Sequence, residues 1–301
     1  EHTRGSPGTA GARMFVRPDG TQFGTVGGGI MELRLVEEAC TALRSGSMFG
    51  PRVRVLRHRR RSMDRIGEGE SGMICAGRQS NVELIVTPRD RETLAAIAAL
   101  EARGTNGTVT VGPGGLGCDP RPPDLSLPAV SLTGDADWLY REQLLNRNRL
   151  AIIGGGHCSL ALSRIARSLD WHVTVFDRRA DVETFRNNVY AHVRIVVDDY
   201  RDAAALIDWP ELTDVVVMTT DFKSDTRALL GCVGKPLRFV GAMGSPAKIR
   251  AIREALAVQG VGDDELARIH APVGVPMRSN TPAEIAVSVA AQLLQRAADR
   301  D

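Results

Sequence analysis

Residues 150–168 read LAIIGGGHCSLALSRIARS: an unbroken apolar run, three glycines, then an amphipathic stretch with nothing in between. A strand that is apolar at every position is buried on both faces, as in a parallel sheet covered by helices on either side. Glycines between such a strand and a helix let the backbone turn sharply. The helix that follows aims unbonded amides and the positive end of its dipole at the turn. Together these form a cradle for a phosphate or another anion.

The rest of this half keeps the same rhythm. Strands are expected at 150–153, 172–176, 193–197, 214–219 and 238–240, with helical patterns between them. Regular strand–helix alternation predicts an α/β fold with a Rossmann-like, doubly wound parallel sheet in the C-terminal half. The first half reads differently. Short strands flank the turn Pro18-Asp19-Gly20, then come Gly27-Gly28-Gly29, a helix over 30–44, strands at 52–56 and 81–86, and a helix over 90–103. That mixture predicts a smaller α+β domain. Proline and glycine are too dense over 112–128 for a helix or central strand, so the linker belongs there or just after. The expected organisation is an N-terminal domain over 1–125, a linker and connecting helix over 126–149, and a Rossmann-like domain over 150–301.

Composition removes several function classes. The chain has 301 residues, 43% of them hydrophobic, enough for two buried cores. Its 38 basic and 36 acidic residues nearly cancel, which argues against nucleic-acid binding driven by phosphate neutralisation. Cys40, Cys75, Cys118, Cys158 and Cys232 are far apart with no CxxC pair, so neither a disulfide framework nor a protein-ligated metal site is expected, and a reducing cytoplasm fits. No apolar run approaches the ~20 residues that cross a bilayer, so no membrane association is expected. The chain opens at Glu1 on a glycine/proline turn, from which a preceding segment is expected, either a first strand or a removed targeting peptide.

Candidate ligand contacts follow from the same logic. In the second half they are Gly154, Gly155, Gly156, His157 and Ser159, where Ser159 stands in for the third glycine of G-x-G-x-x-G. Asp177 ends the next strand, where an acidic residue meets a ribose diol in dinucleotide folds, and Arg178 and Arg179 could take an extra phosphate. Cys158 lies in the first helical turn, where the dipole favours a thiolate; it is either a sulfur-handling group or a small packed residue. Cys75, in the loop GMICAG, is open to the same two readings. In the first half TVGGGIME repeats the strand–glycine–helix order, making Gly27, Gly28, Gly29 and Glu32 a second anion surface or, for Glu32, a plain dipole complement. Late in the chain FVGAMGSPAKI offers Gly241, Gly244, Ser245 and Lys248. A cation in a first helical turn opposes the dipole, so a ligand explains Lys248 better than helix stability does. Thr281 and Glu284 form a capping box, which is structural.

The segments GARMFVRPDGTQFGTVGGGIME, IIGGGH, GAMGSPAKI, HAPVG and TPAEIAVS, in that order across nearly the whole chain, resemble the xanthine dehydrogenase accessory proteins, XdhC/CoxI-like. The resemblance implies a protein that binds molybdenum cofactor, as molybdopterin or its dinucleotide form, and assists its sulfuration and insertion into a molybdenum hydroxylase client. It also implies a homodimer, a cysteine desulfurase as a further partner, and no defining catalytic turnover. Cys75 and Cys158 are then the candidates for a sulfur relay. The pattern departs from the family where Ile30 stands in place of a cysteine found in some members, and where Thr219-Thr220-Asp221-Phe222 replaces a histidine-bearing segment. The alternatives are an NAD(P)-dependent oxidoreductase or a nucleotide-sensing module on the same glycine loop.

Overall fold

The computed structural model describes residues 10–47, 49–58, 77–102 and 106–298, which fall into two compact units divided between Leu145 and Asn146.

The first unit opens with the antiparallel hairpin β1 (Met14–Val16) and β2 (Gln22–Gly24). Its turn is fixed by Asp19, whose carboxylate accepts from the Thr21 amide at 2.8 Å. Helix α1 (Gly29–Ser45) follows, then the antiparallel pair β3 (Arg52–His58) and β4 (Gly77–Glu83), then α2 (Arg91–Ala102). Four further strands, β5 (Thr108–Gly112), β6 (Gly115–Asp119), β7 (Val130–Thr133) and β8 (Leu139–Gln143), make an antiparallel sheet in the order β6-β5-β8-β7. This corrects the expected linker and connecting helix over 126–149. The glycines of 112–117 form a hairpin turn, and no helix occurs among residues 126–149; β7 and β8 are strands of the first unit instead. Leu139–Gln143 (LYREQ) has helix-forming residues, but β8 pairs along both edges, and that pairing overrides local preference.

The second unit is a six-stranded parallel sheet in the order β11-β10-β9-β12-β13-β14. Its elements are β9 (Arg149–Ile153), α3 (His157–Ser168), β10 (His172–Asp177), α4 (Glu183–Arg186), β11 (Val193–Val196), β12 (Thr213–Val217), α5 (Phe222–Cys232), β13 (Phe239–Ala242), α6 (Pro246–Val258), α7 (Asp263–Ala267), β14 (Ile269–His270) and α8 (Pro282–Ala298). This is the expected Rossmann-like fold. Every residue of β9 and β12 is buried, as the apolar runs 150–153 and 215–217 within them require. Alternate residues feed two cores. Ala151, Ile153, Val215 and Val217 pack with Leu229 and Ile252, while Leu150, Ile152 and Val216 pack with Leu162, Val289 and Leu293. The chain leaves β9 for β10 on one side and returns to β12 on the other, so the topological switch point, where ligands bind in such sheets, lies at the carboxyl ends of β9 and β12. The expected capping box starts α8, with Thr281 Oγ1 accepting from Glu284 N at 3.2 Å and Glu284 Oε2 from Thr281 N at 3.0 Å. No helix among the described residues is long and apolar enough to cross a membrane.

Candidate functional site

The three glycines after β9 have three different jobs. Gly154 has φ +114°, and its amide donates to Phe176 O at 2.8 Å; a Cβ there would lie 2.5 Å from Met218 O. A Cβ on Gly155 would lie 2.7 Å from Phe185 Cβ, and the Gly155 carbonyl accepts from Thr184 Oγ1 at 2.6 Å. Both positions thus need glycine for packing. Gly156 has φ −77°, which any residue adopts, and its missing Cβ faces nothing within 4 Å. It is the N-cap of α3, and no side chain caps that helix. The amides of His157, Cys158 and Ser159 have no intrahelical acceptor in this geometry. The Ser159 hydroxyl, in the same turn, is buried without a hydrogen-bond partner. Open space, uncapped amides and an orphaned hydroxyl fit an anionic oxygen group such as a phosphate.

The acidic neighbour behaves otherwise than expected. Asp177 is wholly buried. Its Oδ2 accepts from Gly155 N at 2.6 Å and Arg179 Nη2 at 3.0 Å, and its Oδ1 accepts from Arg179 N at 2.9 Å and Nε at 3.0 Å. Burial pushes this carboxyl up, but the hydrogen bonds from Arg179 and the Gly155 amide outweigh it and hold the pKa below the usual aspartate value. Asp177 therefore braces the glycine turn, and no oxygen faces outward to meet a diol. Arg179 is committed to Asp177, and Arg178 Nε donates to Asp198 O at 2.7 Å. Of the three, only Asp177 is buried against the turn; Arg178 is exposed and Arg179 half-buried.

On the other side of the switch point the end of β12 touches the loop, since a Cβ on Gly154 would lie 2.9 Å from Thr219 Cα. Thr219 donates from its amide at 2.9 Å, and from its hydroxyl, to Oδ1 of Asp225, which is wholly buried. Asp225 Oδ2 lies in ion-pair contact with the Lys248 ammonium. Lys248 thus has a carboxylate to offset its unfavourable place in the first turn of α6, which the sequence reading attributed to a ligand. A quarter of its side chain remains exposed (25%). Gly244 leaves room for that side chain, as a Cβ there would stand 3.1 Å from Lys248 Cδ. Gly241 is a packing glycine, 2.6 Å from Val273 Cγ2 by the same test, and Ser245 caps α6 by accepting from Lys248 N at 3.2 Å.

In the first unit Gly27, Gly28 and Gly29 all have positive φ and wrap around Glu32. The Glu32 carboxylate accepts from Gln22 Nε2 at 2.6 Å, Thr25 Oγ1 at 2.5 Å, Val26 N at 2.8 Å and Gly28 N at 3.0 Å. Burial raises its pKa, but these bonds dominate and bring it down to about 2. The anion in this loop is the chain's own. This glycine loop is therefore filled, whereas the one at α3 is open.

Two family models match the chain: "XdhC Rossmann domain" over residues 150–293, and "XdhC and CoxI family" over residues 1–55. The chain belongs to the XdhC and CoxI family. A curated relative, the uncharacterized protein YqeB of Escherichia coli (strain K12), is 26% identical over 293 residues, covering 97% of this chain but 42% of its own length. The chain therefore spans less than half of that relative. A crystal structure described as a xanthine dehydrogenase from Bacillus halodurans is 22% identical with a TM-score of 0.69, over 100% of this chain and 90% of that one. At that identity the likeness speaks to fold.

In this XdhC-family chain the candidate anion seat is reduced to Gly156, His157, Cys158 and Ser159, and Lys248 is paired with Asp225. His157 is exposed beside the seat. Burial pushes the Cys158 thiol up, opposite to the shift expected from the helix dipole alone. Cys75 lies outside the described residues. Asp225 was not singled out from sequence. The usable signal was Lys248 itself, a cation against a helix dipole, which asks for a nearby carboxylate.

Proposed function

We propose that this chain is an accessory protein for a molybdenum hydroxylase of the xanthine dehydrogenase type, holding molybdopterin-type cofactor by its phosphate and passing it to that client. The observation that carries the reading is Gly156, a glycine required by neither backbone conformation nor packing, at the uncapped start of α3. A phosphate there would take the amides of Gly156, His157 and Cys158, and the Ser159 hydroxyl lies unpaired in the same turn. When bound, the cofactor supplies pterin dithiolene sulfurs as ligands for molybdenum, so the protein need only grip the phosphate end. Family membership supports the choice of client class. The chain would act as a homodimer in the cytoplasm and present the cofactor to a cysteine desulfurase for sulfuration. A thiol whose pKa burial raises is a poor sulfur carrier, so Cys158 is not assigned as a relay.

An NAD(P)-dependent oxidoreductase on the same loop is disfavoured by Asp177, whose oxygens both point inward onto Gly155 and Arg179. The test loads purified protein with molybdopterin and measures retained pterin by its fluorescence after oxidation. Wild type should hold the pterin stoichiometrically, and Gly156→Asp, which places a carboxylate in the phosphate path without a clash, should lose it. Equal retention by the two proteins rejects the seat.

A further inference from the structure

We infer that the cavity at the amino ends of β13 and β14 is a second binding site, taking a small monocarboxylate with a compact apolar body against the Arg296 guanidinium.

The cavity is about 160 Å³ and is lined by residues of the second unit. Phe239 and Ile269, the first residues of β13 and β14, line it together with Arg238 and Arg268 just before them. Gly154 follows the last residue of β9 in the same parallel sheet, so the cavity and the glycine turn lie at opposite ends of the strands. The two sites are therefore separate.

The walls divide into an apolar part and a charged part. Leu229, Cys232 and Leu237 are buried and make the apolar side. Three arginines line the cavity, and two of them are already matched. Arg238 donates from Nε and Nη2 to the Asp214 carboxylate, both at 2.7 Å, and Arg268 Nη1 lies 2.9 Å from Glu265 Oε1. Arg296, in the last turn of α8, has its guanidinium carbon 4.8 Å from the centre of the Phe239 ring. That contact answers the charge through the ring face but supplies no acceptor in the plane of the fork. The Arg296 Nε is buried without a hydrogen-bond partner, and no carboxylate among the described residues forms an ion pair with this guanidinium. His270 stacks on the same Phe239 ring at 4.8 Å. Burial, with Arg296 and Arg253 nearby, lowers the pKa of His270 and keeps it uncharged near pH 7. Arg253 itself is held by the carbonyls of Leu266 and Ile269.

The lining thus carries one unmatched positive charge. A flat guanidinium fork takes a carboxylate by two parallel hydrogen bonds, and the apolar walls favour a ligand whose remainder is apolar. A dianionic phosphate would bring a second charge that the lining does not match.

The experiment titrates the isotope-labelled 301-residue chain with benzoate, with butyrate and with neutral benzamide, following amide shifts. Benzoate or butyrate should bind saturably and move the amides of Phe239, Ile269 and His270, and benzamide should bind at least about tenfold more weakly. Arg296→Gln should weaken the carboxylate about tenfold, and Arg296→Lys, which keeps the charge without the fork, should recover only part of it. Circular dichroism melts establish that the variants are folded; if they are not, the comparison of benzoate with benzamide on wild type decides alone. Equal affinity for benzoate and benzamide would overturn the proposal, as would carboxylate binding unchanged in folded Arg296→Gln. Shifts centred on the amides of residues 156–159 would put the carboxylate at α3 and overturn it too. So would the absence of saturable binding by either carboxylate up to about 50 mM.

Discussion

The Gly155 amide and the Asp177 carboxylate are joined by a 2.6 Å hydrogen bond in a position where Asp177 has no exposed surface. The acidic residue at the end of the second strand, which in many dinucleotide folds faces a ribose, here secures the glycine turn. The glycine loop is therefore rigid on one side and open only where α3 begins. Its three glycines should respond differently to substitution.

Gly155→Ala should cost about 1–3 kcal/mol, since the new methyl meets the Cβ of Phe185, which cannot swing aside. Gly156→Ala should shift stability by no more than about 0.5 kcal/mol, because its surroundings are empty. Urea denaturation of both variants measures the difference, and similar losses at the two positions would contradict the packing described.

Glu32→Gln should destabilise the first unit by about 2 kcal/mol, because the amide nitrogen meets donors that now bond to a carboxylate. The pH dependence follows from the shift. Unfolded glutamate titrates near 4.5 and folded Glu32 near 2, so between these values only the unfolded chain binds the proton. The stabilisation is complete above pH 4.5 and is lost as pH falls through about 2. Acid titration of the wild type should show this loss, and the Gln variant should lack that component.

His172 gives a second pH signature in the other unit. Its ring stacks on His192 at 4.5 Å, and burial, reinforced by Arg149, His192 and Arg167, lowers its pKa from 6.5 to about 3. Unfolded histidine takes up a proton below about 6.5 while the folded ring stays neutral, so stability falls as pH drops from 6.5 towards 3. At pH 5 the loss should be about 1–2 kcal/mol relative to pH 7. His172→Phe should flatten that slope, as read from urea midpoints at the two pH values. An unchanged slope would mean that the buried ring does not cause it.

Much of the Rossmann-like unit was legible because its central strands carry apolar runs without alternation, a pattern set by burial on both faces rather than by distant partners. The strand at 150–153 and the helix beginning at His157 needed only local information. β7 and β8 were not legible. They are four and five residues long, and Leu139–Gln143 becomes a strand only through pairing with β5 and β7. The site divides along the same line. Spacing located Gly156 and Asp177, but which way Asp177 points depends on the Gly155 amide and the Arg179 fork. Glu32 was legible as a carboxylate at a helix start; that it fills the loop Gly27–Gly29 depends on the positive φ angles there. Asp225 sits on a helix face that only tertiary packing turns towards Lys248.

The most direct test is an amide-resolved NMR titration of the isotope-labelled 301-residue chain with molybdopterin, and with inorganic pyrophosphate in parallel. The largest shifts should fall on the amides of Gly156, His157, Cys158 and Ser159, with Val26 and Gly28 unmoved because Glu32 already occupies them. Shifts centred on Val26 and Gly28, or none at the start of α3, would contradict an anion seat at Gly156.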